Sequence, residues 1–481
     1  MRVGEETRTF GELDDRARRL ASALAGLGLQ RGDRVGVLLP NRIEYPEIDL
    51  GLLYGGYVRV ALNVRMKVAD FLFALDDCGA RALITCTDFD ESAEEIAEAL
   101  DLSWIRMESE DLPEAASSYS DIVEAAAPAT VLIPESSEET AWISYTSGTT
   151  GKPKGVVLSR RALMAVAENL ALELGVINAD ARMMLTQPLS HGAGYFAMAY
   201  VVAGGSITIL PSFDAEQAFY LARKHSIPSI KLVPTTLASL LEVPGDSPFD
   251  HIIYGASPIS PVQLDRALDR FGPVLTQVYG QSEIPVTITV LGKREHLQDG
   301  SQRTSAGRIW RTLEARILSD DGAELPVGEL GELVVRGPQT MTGYWGRPDL
   351  TSEVLRDGWV HTKDLAVMDE LGFIYLRGRR DDMIISGGFN VAPREVEDVL
   401  CGYRGVMEAC VLGMPDERWG QRVVAFVRTD GSAVSTESLS AFADDHLGFR
   451  KPREYHFIEA LPTNAYGKVD RKQLRDLAAQ A

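Results

Sequence analysis

Hydrophobic and polar positions alternate in blocks along the first 300 residues of the chain. Short runs rich in strand-forming residues predict β-strands at positions 34–40, 81–86, 140–145, 183–189, 229–234 and 251–257. The stretches between them place apolar residues at helical spacing, and they predict helices that include 90–100, 160–174 and 260–272. This alternation predicts parallel sheets covered by helices, which bind ligands beyond the carboxyl ends of their strands.

A different pattern begins near residue 306. Alternating apolar residues and glycine-containing turns predict antiparallel hairpins over 315–337 and 373–378. A charged run that ends in two glycines, 379–388, follows as a linker or hinge, and the last hundred residues carry their own helices and strands. The chain is therefore expected to divide into domains 1–380 and 381–481.

The predicted fold class is α/β. The large N-terminal domain is expected to contain helix-covered, mainly parallel sheets plus a small β-barrel-like part. The C-terminal domain is expected to be a smaller, mobile α+β unit.

Composition limits the partners of the protein. Of 481 residues, 69 are acidic and 48 are basic, which gives a formal net charge of -21. Such an excess of negative charge argues against a general nucleic-acid surface or an anionic-membrane surface, because both polyanions would repel the chain. A nucleotide site stays open, since it needs only a few local donors.

The remaining compositional signals indicate an ordinary intracellular protein. The first residues lack the apolar core of a signal peptide, and no apolar run has transmembrane length. The 4 cysteines are too sparse for a disulfide scaffold, and neither they nor the 7 histidines show the spacing of a metal site. We expect a cytoplasmic protein without a membrane span, as a monomer or a homodimer.

The stretch SYTSGTTGKPKG at 144–155 follows a predicted strand and combines glycines, hydroxyl groups and lysines. A Walker A loop needs four residues between its first glycine and its Gly-Lys pair, whereas only two separate Gly148 from Gly151. The spacing argues against a P-loop ATPase or kinase. Close backbone approach, donor hydroxyls and cationic side chains still suit a phosphate loop, although a solvent-exposed turn would have the same composition.

Residues 145–156, YTSGTTGKPKGV, resemble the phosphate-binding signature of the adenylate-forming superfamily, which includes acyl-CoA and aryl-CoA synthetases. Further segments resemble that family's motifs in the family's order, and the similarity spans nearly the whole chain. They are YGQSE (279–283), GELVVRGPQTMTGYW (331–345), GWVHTKDLA (358–366), RGRRDDMIISGGFNVAPREVE (377–397) and PTNAYGK (462–468).

The resemblance implies two-step chemistry. A small-molecule carboxylic acid attacks the α-phosphorus of ATP, in the presence of Mg²⁺, and gives an acyl-adenylate and pyrophosphate. A thiol, that of coenzyme A or of an acyl carrier protein, then displaces AMP. Alternatives are activation of a different nucleophile, an aminoacyl-adenylating domain, a luciferase-like oxygenase and a non-catalytic nucleotide-binding regulator.

The resemblance also implies roles for residues of the large domain. The β- and γ-phosphates of ATP are expected to be bound by Thr146, Ser147, Gly148, Thr149, Thr150, Gly151 and Lys152. Glu283 is expected to hold Mg²⁺, next to Ser282, which replaces the family's usual threonine. The adenine is expected to contact Tyr279, Gly280 and Gln281, together with backbone of Gly255, Ala256 and Ser257.

Further roles fall on the ribose site and the hinge. Asp364 and Arg379 are expected to bind the ribose, and Lys363 stands where the family usually has glycine. Lys468 is expected to bridge the substrate carboxylate and the α-phosphate. Rotation about Asp381 would then bring the Gly387 and Gly388 loop to the thiol tunnel.

The acyl site is the least defined. PLSHGAGYF (188–196) resembles the region that lines it, so His191 is a candidate contact, although a polar residue at a strand end would look the same. We identify no cationic residue there for a second carboxylate and expect a mostly hydrophobic or aromatic acid. Aryl, cinnamoyl-type and aliphatic acids stay open.

Overall fold

The structure is a computed structural model, and it describes residues 1–131, 134–146, 153–297, 301–463 and 469–480. None of the helices in these ranges is long and apolar enough to cross a membrane.

The chain up to residue 159 forms strands connected by helices. Its strands are β1 (Arg2–Val3), β2 (Glu6–Thr7), β3 (Arg34–Leu38), β4 (Val58–Ala61), β5 (Ala80–Thr85), β6 (Ser103–Arg106), β7 (Ala116–Ser118), β8 (Thr140–Thr146) and β9 (Lys154–Ser159). Its helices are α1 (Phe10–Gly26), α2 (Tyr45–Gly55), α3 (Val68–Cys78), α4 (Asp90–Leu100) and α5 (Tyr119–Ala125).

The next part of the chain repeats the strand-helix alternation and then changes to antiparallel strands. The strands are β10 (Arg182–Leu185), β11 (Ser206–Ile209), β12 (Ser229–Leu232), β13 (His251–Gly255), β14 (Leu275–Gln281), β15 (Ile284–Leu291), β16 (Gly307–Ile309), β17 (Glu314–Leu318), β18 (Gly331–Arg336), β19 (Gly343–Tyr344), β20 (Leu355–Arg356), β21 (Trp359–Met368) and β22 (Phe373–Arg379). The helices are α6 (Arg160–Leu174), α7 (Gly192–Ala203), α8 (Ala215–His225), α9 (Pro234–Leu241), α10 (Pro261–Phe271), α11 (Lys293–His296) and α12 (Pro348–Val354).

The last hundred residues form a separate sheet with its own helices. The elements are β23 (Ile384–Ser386), β24 (Phe389–Val391), α13 (Pro393–Cys401), β25 (Val406–Asp416), β26 (Gly420–Thr429), α14 (Thr436–Leu447), β27 (Glu454–Phe457) and α15 (Arg471–Gln480). The predicted mixture of helices and strands in this part is confirmed. The boundary at residue 380 stays a prediction, although no strand after that position joins the two larger sheets in the described ranges.

The three sheets have clear topologies. In the largest, the strand order is β17-β18-β21-β22-β16-β15-β14-β13-β12-β10-β11-β1-β2, with β20 beside β21. Strands β10 to β14 are parallel, and the antiparallel strands that the sequence predicted continue from β15 at one edge of the same sheet. The second sheet has the order β19-β9-β8-β4-β3-β5-β6-β7, and the third has β24-β23-β26-β25 with β27 beside β26.

Local sequence explains where several elements begin and end. Ser159 and Ser260 cap α6 and α10 by accepting hydrogen bonds from backbone amides of the first turn, and Gly175 ends α6 in the left-handed conformation. The predicted strand 229–234 ends early, at Leu232, because Pro234 starts α9. The predicted strand 251–257 ends at Gly255, because Ala256 takes the left-handed conformation with φ 72°.

The main core lies between the first two sheets, and α6 and α7 contribute apolar side chains to it. The opposite face of the large sheet packs against α8, α9 and α10 in a second cluster. Because α7 lies inside the first core, the carboxyl ends of β10 and β12 face a helix that is buried over most of its length.

One buried arginine, Arg59, connects the two large sheets. Arg59 of β4 is 1% exposed, and its Nε lies 3.1 Å from Asp49 Oδ1 of α2. Its Nη2 donates to the carbonyl oxygen of Leu189 at 2.8 Å, and its guanidinium carbon lies 4.0 Å from the centroid of the Trp142 ring. Arg59 therefore fixes the segment between β10 and α7 against the second sheet.

We expect Arg59→Met to lower the free energy of unfolding by about 3 to 5 kcal/mol, because it leaves the Asp49 carboxylate buried without its cation. Urea denaturation would measure this loss. Arg266→Met is the matched control, since Arg266 pairs with Glu242 at the surface and its loss should cost less than about 1 kcal/mol. Equal effects of the two substitutions would contradict the structural role given to Arg59.

Candidate active site

A carboxylate with three side-chain partners lies where the parallel strands meet the antiparallel ones. Asp364 on β21 is 8% exposed, and its Oδ2 accepts hydrogen bonds from the Tyr279 hydroxyl and, at 2.6 Å, from Gln281 Nε2. Arg379 is its register partner on β22, with Nε 3.2 Å from Oδ1. The structure thus brings four predicted nucleotide-binding residues together.

The electrostatics of this cluster follow from its burial. Burial and the neighbouring Asp364 carboxylate raise the pKa of Tyr279 well above its ordinary value, so its hydroxyl stays a donor. Burial lowers the pKa of Arg379, but the combined attraction of its acidic surroundings, with Asp364 the largest contributor, outweighs burial and raises that pKa. The cluster is therefore a fixed carboxylate between a neutral phenol and a cation.

The turn between β14 and β15 positions Glu283. Gln281 pairs with Ile284, so Ser282 and Glu283 form the two residues of a tight turn. A Cβ on Gly280 would lie 2.4 Å from the backbone nitrogen of Val286, which explains why glycine stands at that position. Glu283 Oε1 accepts a 2.7 Å hydrogen bond from the hydroxyl of Tyr344.

Tyr344 connects this turn to the base of the predicted phosphate loop. It pairs with Val156 of β9, and its ring centroid lies 5.3 Å from Lys154 Nζ. Thr146 at the end of β8 pairs with Lys154 across the hairpin. Tyr344 lies within the motif at 331–345, but the sequence pattern alone does not identify it as a site residue.

Some predicted site residues lie outside the described ranges, and their roles stay predictions. They are Ser147, Gly148, Thr149, Thr150, Gly151, Lys152 and Lys468.

The end of β13 packs closely against the strand that carries Tyr279. Gly255 pairs with Val278, and a Cβ on it would lie 2.2 Å from the carbonyl oxygen of Val278. Ala256, which follows, is exposed and left-handed, a strained conformation for a residue with a side chain. Gly255, Ala256 and Ser257 thus lie at a bend next to the strand that carries Tyr279, and their contact with adenine stays a prediction.

Lys363 also takes the left-handed conformation, with φ 59°. This explains why glycine suits the position before Asp364, because glycine adopts positive φ without strain. The backbone nitrogen of Lys363 donates to Glu332 Oε1 at 3.0 Å, which helps to hold the strained turn.

The predicted hinge residues occupy turns. Asp381 lies in a 3-10 turn (Arg380–Asp382), and its Oδ2 is 3.9 Å from Lys363 Nζ. Gly387 and Gly388 are both left-handed, between β23 and β24, and Gly387 N donates to the carbonyl oxygen of Trp419 at 2.8 Å. Rotation at Asp381 stays a prediction.

His191 lies immediately before α7. Its Nδ1 is 2.8 Å from Ser190 Oγ. A Cβ on Gly192 would lie 3.8 Å from Val286 Cγ1, so the first turn of α7 faces the strand that follows Glu283. The predicted strand 183–189 ends at Leu185, and the remaining residues form the connection that carries His191.

Lys231 on β12 is a buried cation that sequence reasoning missed, because it reads as one residue of an apolar strand. It is 4% exposed, and its Nζ donates to the carbonyl oxygen of Leu232 at 2.8 Å. Burial lowers its pKa to about 7. The expectation of an acyl site without an obvious cation for a second carboxylate did not consider Lys231, and it stays a prediction.

A bound Mg²⁺ would find few protein ligands here. The described residues contain no group of three His, Cys, Asp or Glu side chains that could hold a metal ion. Glu283 fits as a single carboxylate ligand, because Mg²⁺ takes most of its oxygens from substrate phosphates and water.

The chain matches families of known proteins over most of its length. The AMP-binding enzyme family matches residues 2–345, and the AMP-binding enzyme C-terminal domain matches residues 395–468. The chain is 35% identical over 496 residues to a medium/long-chain-fatty-acid–CoA ligase (FadD8) from Mycobacterium tuberculosis. The alignment covers 98% of this chain and 86% of that protein.

The chain is also similar to two proteins whose names do not refer to coenzyme A. The chain is 35% identical over 482 residues to a fatty acid–[acyl-carrier-protein] ligase (ScoC) from Streptomyces coeruleorubidus. The alignment covers 98% of this chain and 91% of that protein. The solved structure of the amide bond synthetase McbA from Marinactinospora thermotolerans has a TM-score of 0.89 at 29% identity, and it covers 97% of this chain and 94% of that chain.

We expect Lys231→Met to stabilise the protein most at pH 7 and below. The unfolded lysine binds its proton up to pH of about 10, whereas the buried one loses it near pH 7, so the cost of burying the charge is greatest below pH 7 and fades as the pH rises. The gain is on the order of several kcal/mol, since one pKa unit corresponds to about 1.4 kcal/mol.

Urea denaturation of both proteins from pH 6 to pH 10 measures this difference. The exposed Lys67 supplies the control, and Lys67→Met should give no such trend. If Lys231→Met changed the free energy of unfolding by the same amount at every pH in this range, the result would contradict a buried ammonium without an ionic partner at position 231.

Proposed function

The chain belongs to the AMP-binding enzyme family, and we propose that it activates a carboxylic acid as an acyl-adenylate and transfers the acyl group to coenzyme A. The observation that carries the proposal is the Asp364 carboxylate, held by Tyr279, Gln281 and Arg379 at the carboxyl end of β14. Two adjacent carboxylate oxygens suit the two hydroxyls of a ribose, and this edge of a parallel sheet is the expected place for a nucleotide.

The first half-reaction joins two anions. A carboxylate oxygen of the acid attacks the α-phosphorus of ATP, the bond from that phosphorus to the bridging oxygen breaks, and pyrophosphate leaves. Catalysis then consists of alignment and of charge compensation, so no protein nucleophile is needed. Thr146 and the loop up to Lys152 are proposed to hold the departing phosphates, and Lys468 is proposed to compensate charge at the α-phosphate.

Mg²⁺ would offset phosphate charge at this site, with Glu283 as its protein ligand. The Tyr344 hydroxyl orients that carboxylate by donating to Oε1, which leaves Oε2 for another partner. Tyr344 also lies against Lys154. It therefore holds the Glu283 carboxylate in a fixed position relative to the base of the phosphate loop.

In the second half-reaction, a thiol sulfur attacks the carbonyl carbon of the acyl-adenylate. The carbonyl carbon–oxygen bond to the phosphate breaks, AMP leaves, and the thiol proton passes to solvent. We propose coenzyme A as the thiol because the relative from Mycobacterium tuberculosis is a CoA ligase. The second candidate acceptor is a carrier protein, the acceptor of the relative from Streptomyces coeruleorubidus.

Two domains support this sequence of reactions. We propose that 1–380 binds ATP and the acid and that 381–481 carries Lys468 and turns about Asp381 between the half-reactions. In support, the third sheet begins at Ile384, and Arg394 Nη2 of α13 donates to the carbonyl oxygen of Ile259 at 3.0 Å across the two parts.

A panel of carboxylic acids with ATP and Mg²⁺ tests the function. We expect release of pyrophosphate with at least one acid, and AMP together with a thioester, identified by mass, once coenzyme A is added. Carrier protein in place of coenzyme A tests the second acceptor. Release of ADP and phosphate instead would contradict adenylation, and an Asp364→Ala variant gives the control for contaminating activity.

A further inference from the structure

Lys231 is placed at the carboxyl end of a central parallel strand. In the sheet register it lies between Leu185 of β10 and Ile253 of β13, and Gly255 lies two residues beyond Ile253 on the same face. That face packs against α7, because Lys231 Nζ lies 5.8 Å from the ring centroid of Phe196. The ammonium therefore lies between the sheet and the helix that His191 precedes.

The positive charge of the Lys231 ammonium has few partners that could stabilise it. The ammonium can donate three hydrogen bonds, and the structure gives it one, to the carbonyl oxygen of Leu232. No carboxylate of the described residues lies within ion-pair distance of its nitrogen. A buried cation without an anion is costly, and natural proteins keep one where a function needs it.

Gln187, at the end of the neighbouring strand, adds a second unsatisfied group. Its Nε2 donates to the carbonyl oxygen of Lys231 at 2.9 Å and to Thr186 Oγ1 at 2.7 Å. Its Oε1 is buried and has no hydrogen-bond partner in the described part of the chain. Two polar side chains that are joined through the backbone of Lys231 thus have unused hydrogen-bonding capacity, whereas most buried polar atoms in proteins are satisfied.

An acyl chain that extends from the nucleotide site along the sheet would reach Lys231. Strand β12 is separated from β14 by one strand, so Lys231 lies two strands away from the Tyr279 and Glu283 end of the sheet. An acid whose reacting carboxylate lies at the α-phosphate would extend between α7 and the sheet, toward β12. Its far end would then meet a cation in otherwise apolar surroundings.

We propose that Lys231 determines substrate specificity by binding a second carboxylate, so that the preferred substrate is a dicarboxylic acid. The inference rests on the proposed adenylating function and names the class of acid that this site takes. The second carboxylate supplies the anion that Lys231 lacks, and the charge-assisted hydrogen bond forms away from water, where such bonds are strong.

Matched pairs of acids test the inference. Straight-chain monocarboxylic and dicarboxylic acids of 4 to 10 carbons, and 3-phenylpropionate with its 4-carboxy derivative, would be compared by pyrophosphate release with ATP and Mg²⁺. These lengths bracket two strand spacings, which together are about 10 Å. We expect one diacid to have a higher kcat/KM than its matched monoacid. Lys231→Met should lower that diacid's kcat/KM by about 10- to 100-fold, mainly through KM, and should leave the monoacid unchanged or improved.

Two further variants separate charge from structure. Lys231→Gln keeps a hydrogen-bond donor without the charge and should also lose most of the diacid preference. Lys293→Met is the matched control, because Lys293 Nζ likewise donates to a backbone carbonyl, that of Asp250, but at an exposed position at the opposite end of β13. It should leave the preference unchanged.

The outcomes distinguish this inference from the function on which it rests. Activation of monoacids with diacids unreactive, or an unchanged diacid preference in Lys231→Met and Lys231→Gln, would overturn the inference and leave adenylation standing. Pyrophosphate release with no acid at all would overturn the proposed function itself.

Discussion

The site depends on one buried carboxylate, Asp364, which the fold satisfies with three donors before any ligand arrives. A carboxylate at 8% exposure would be costly alone, and Tyr279, Gln281 and Arg379 offset that cost from two different strands. The contacts fix the end of the parallel strand β14 against the antiparallel pair β21 and β22. The junction between two kinds of sheet thereby becomes a rigid place for polar chemistry.

A second constraint fixes the opposite wall. Arg59 crosses from the second sheet, pairs with Asp49 and holds the carbonyl oxygen of Leu189, so the segment that carries His191 has a defined position. Lys231 lies on β12 against Phe196 of α7, and among the described residues its ammonium has one hydrogen-bond acceptor, a backbone carbonyl. Arg59 has a carboxylate partner within 3.1 Å, whereas Lys231 has no such partner among the described residues, and this difference distinguishes a structural cation from one available to a ligand.

Much of the fold was predictable from the sequence because its periodicity is strong. The predicted strands and helices of the first 300 residues are present, and errors fall at strand ends, where Pro234 and the left-handed Ala256 stop the strands early. The Asp364 cluster could be anticipated only through motifs, since Tyr279 and Gln281 precede Asp364 by more than 80 residues. Tyr344 and Lys231 were missed because their surroundings come from tertiary packing, and an apolar strand pattern hides a lysine.

Transfer of oxygen from the acid to AMP tests the central claim, adenylation, most directly. An acid labelled with ¹⁸O in its carboxylate would be converted to the thioester with ATP, Mg²⁺ and thiol. The mass of the released AMP would then be measured by mass spectrometry. Attack on the α-phosphorus predicts one ¹⁸O atom in AMP and none in pyrophosphate, because the thiol breaks the bond between the carbonyl carbon and the bridging oxygen. Label in inorganic phosphate, or AMP without label, would contradict the account.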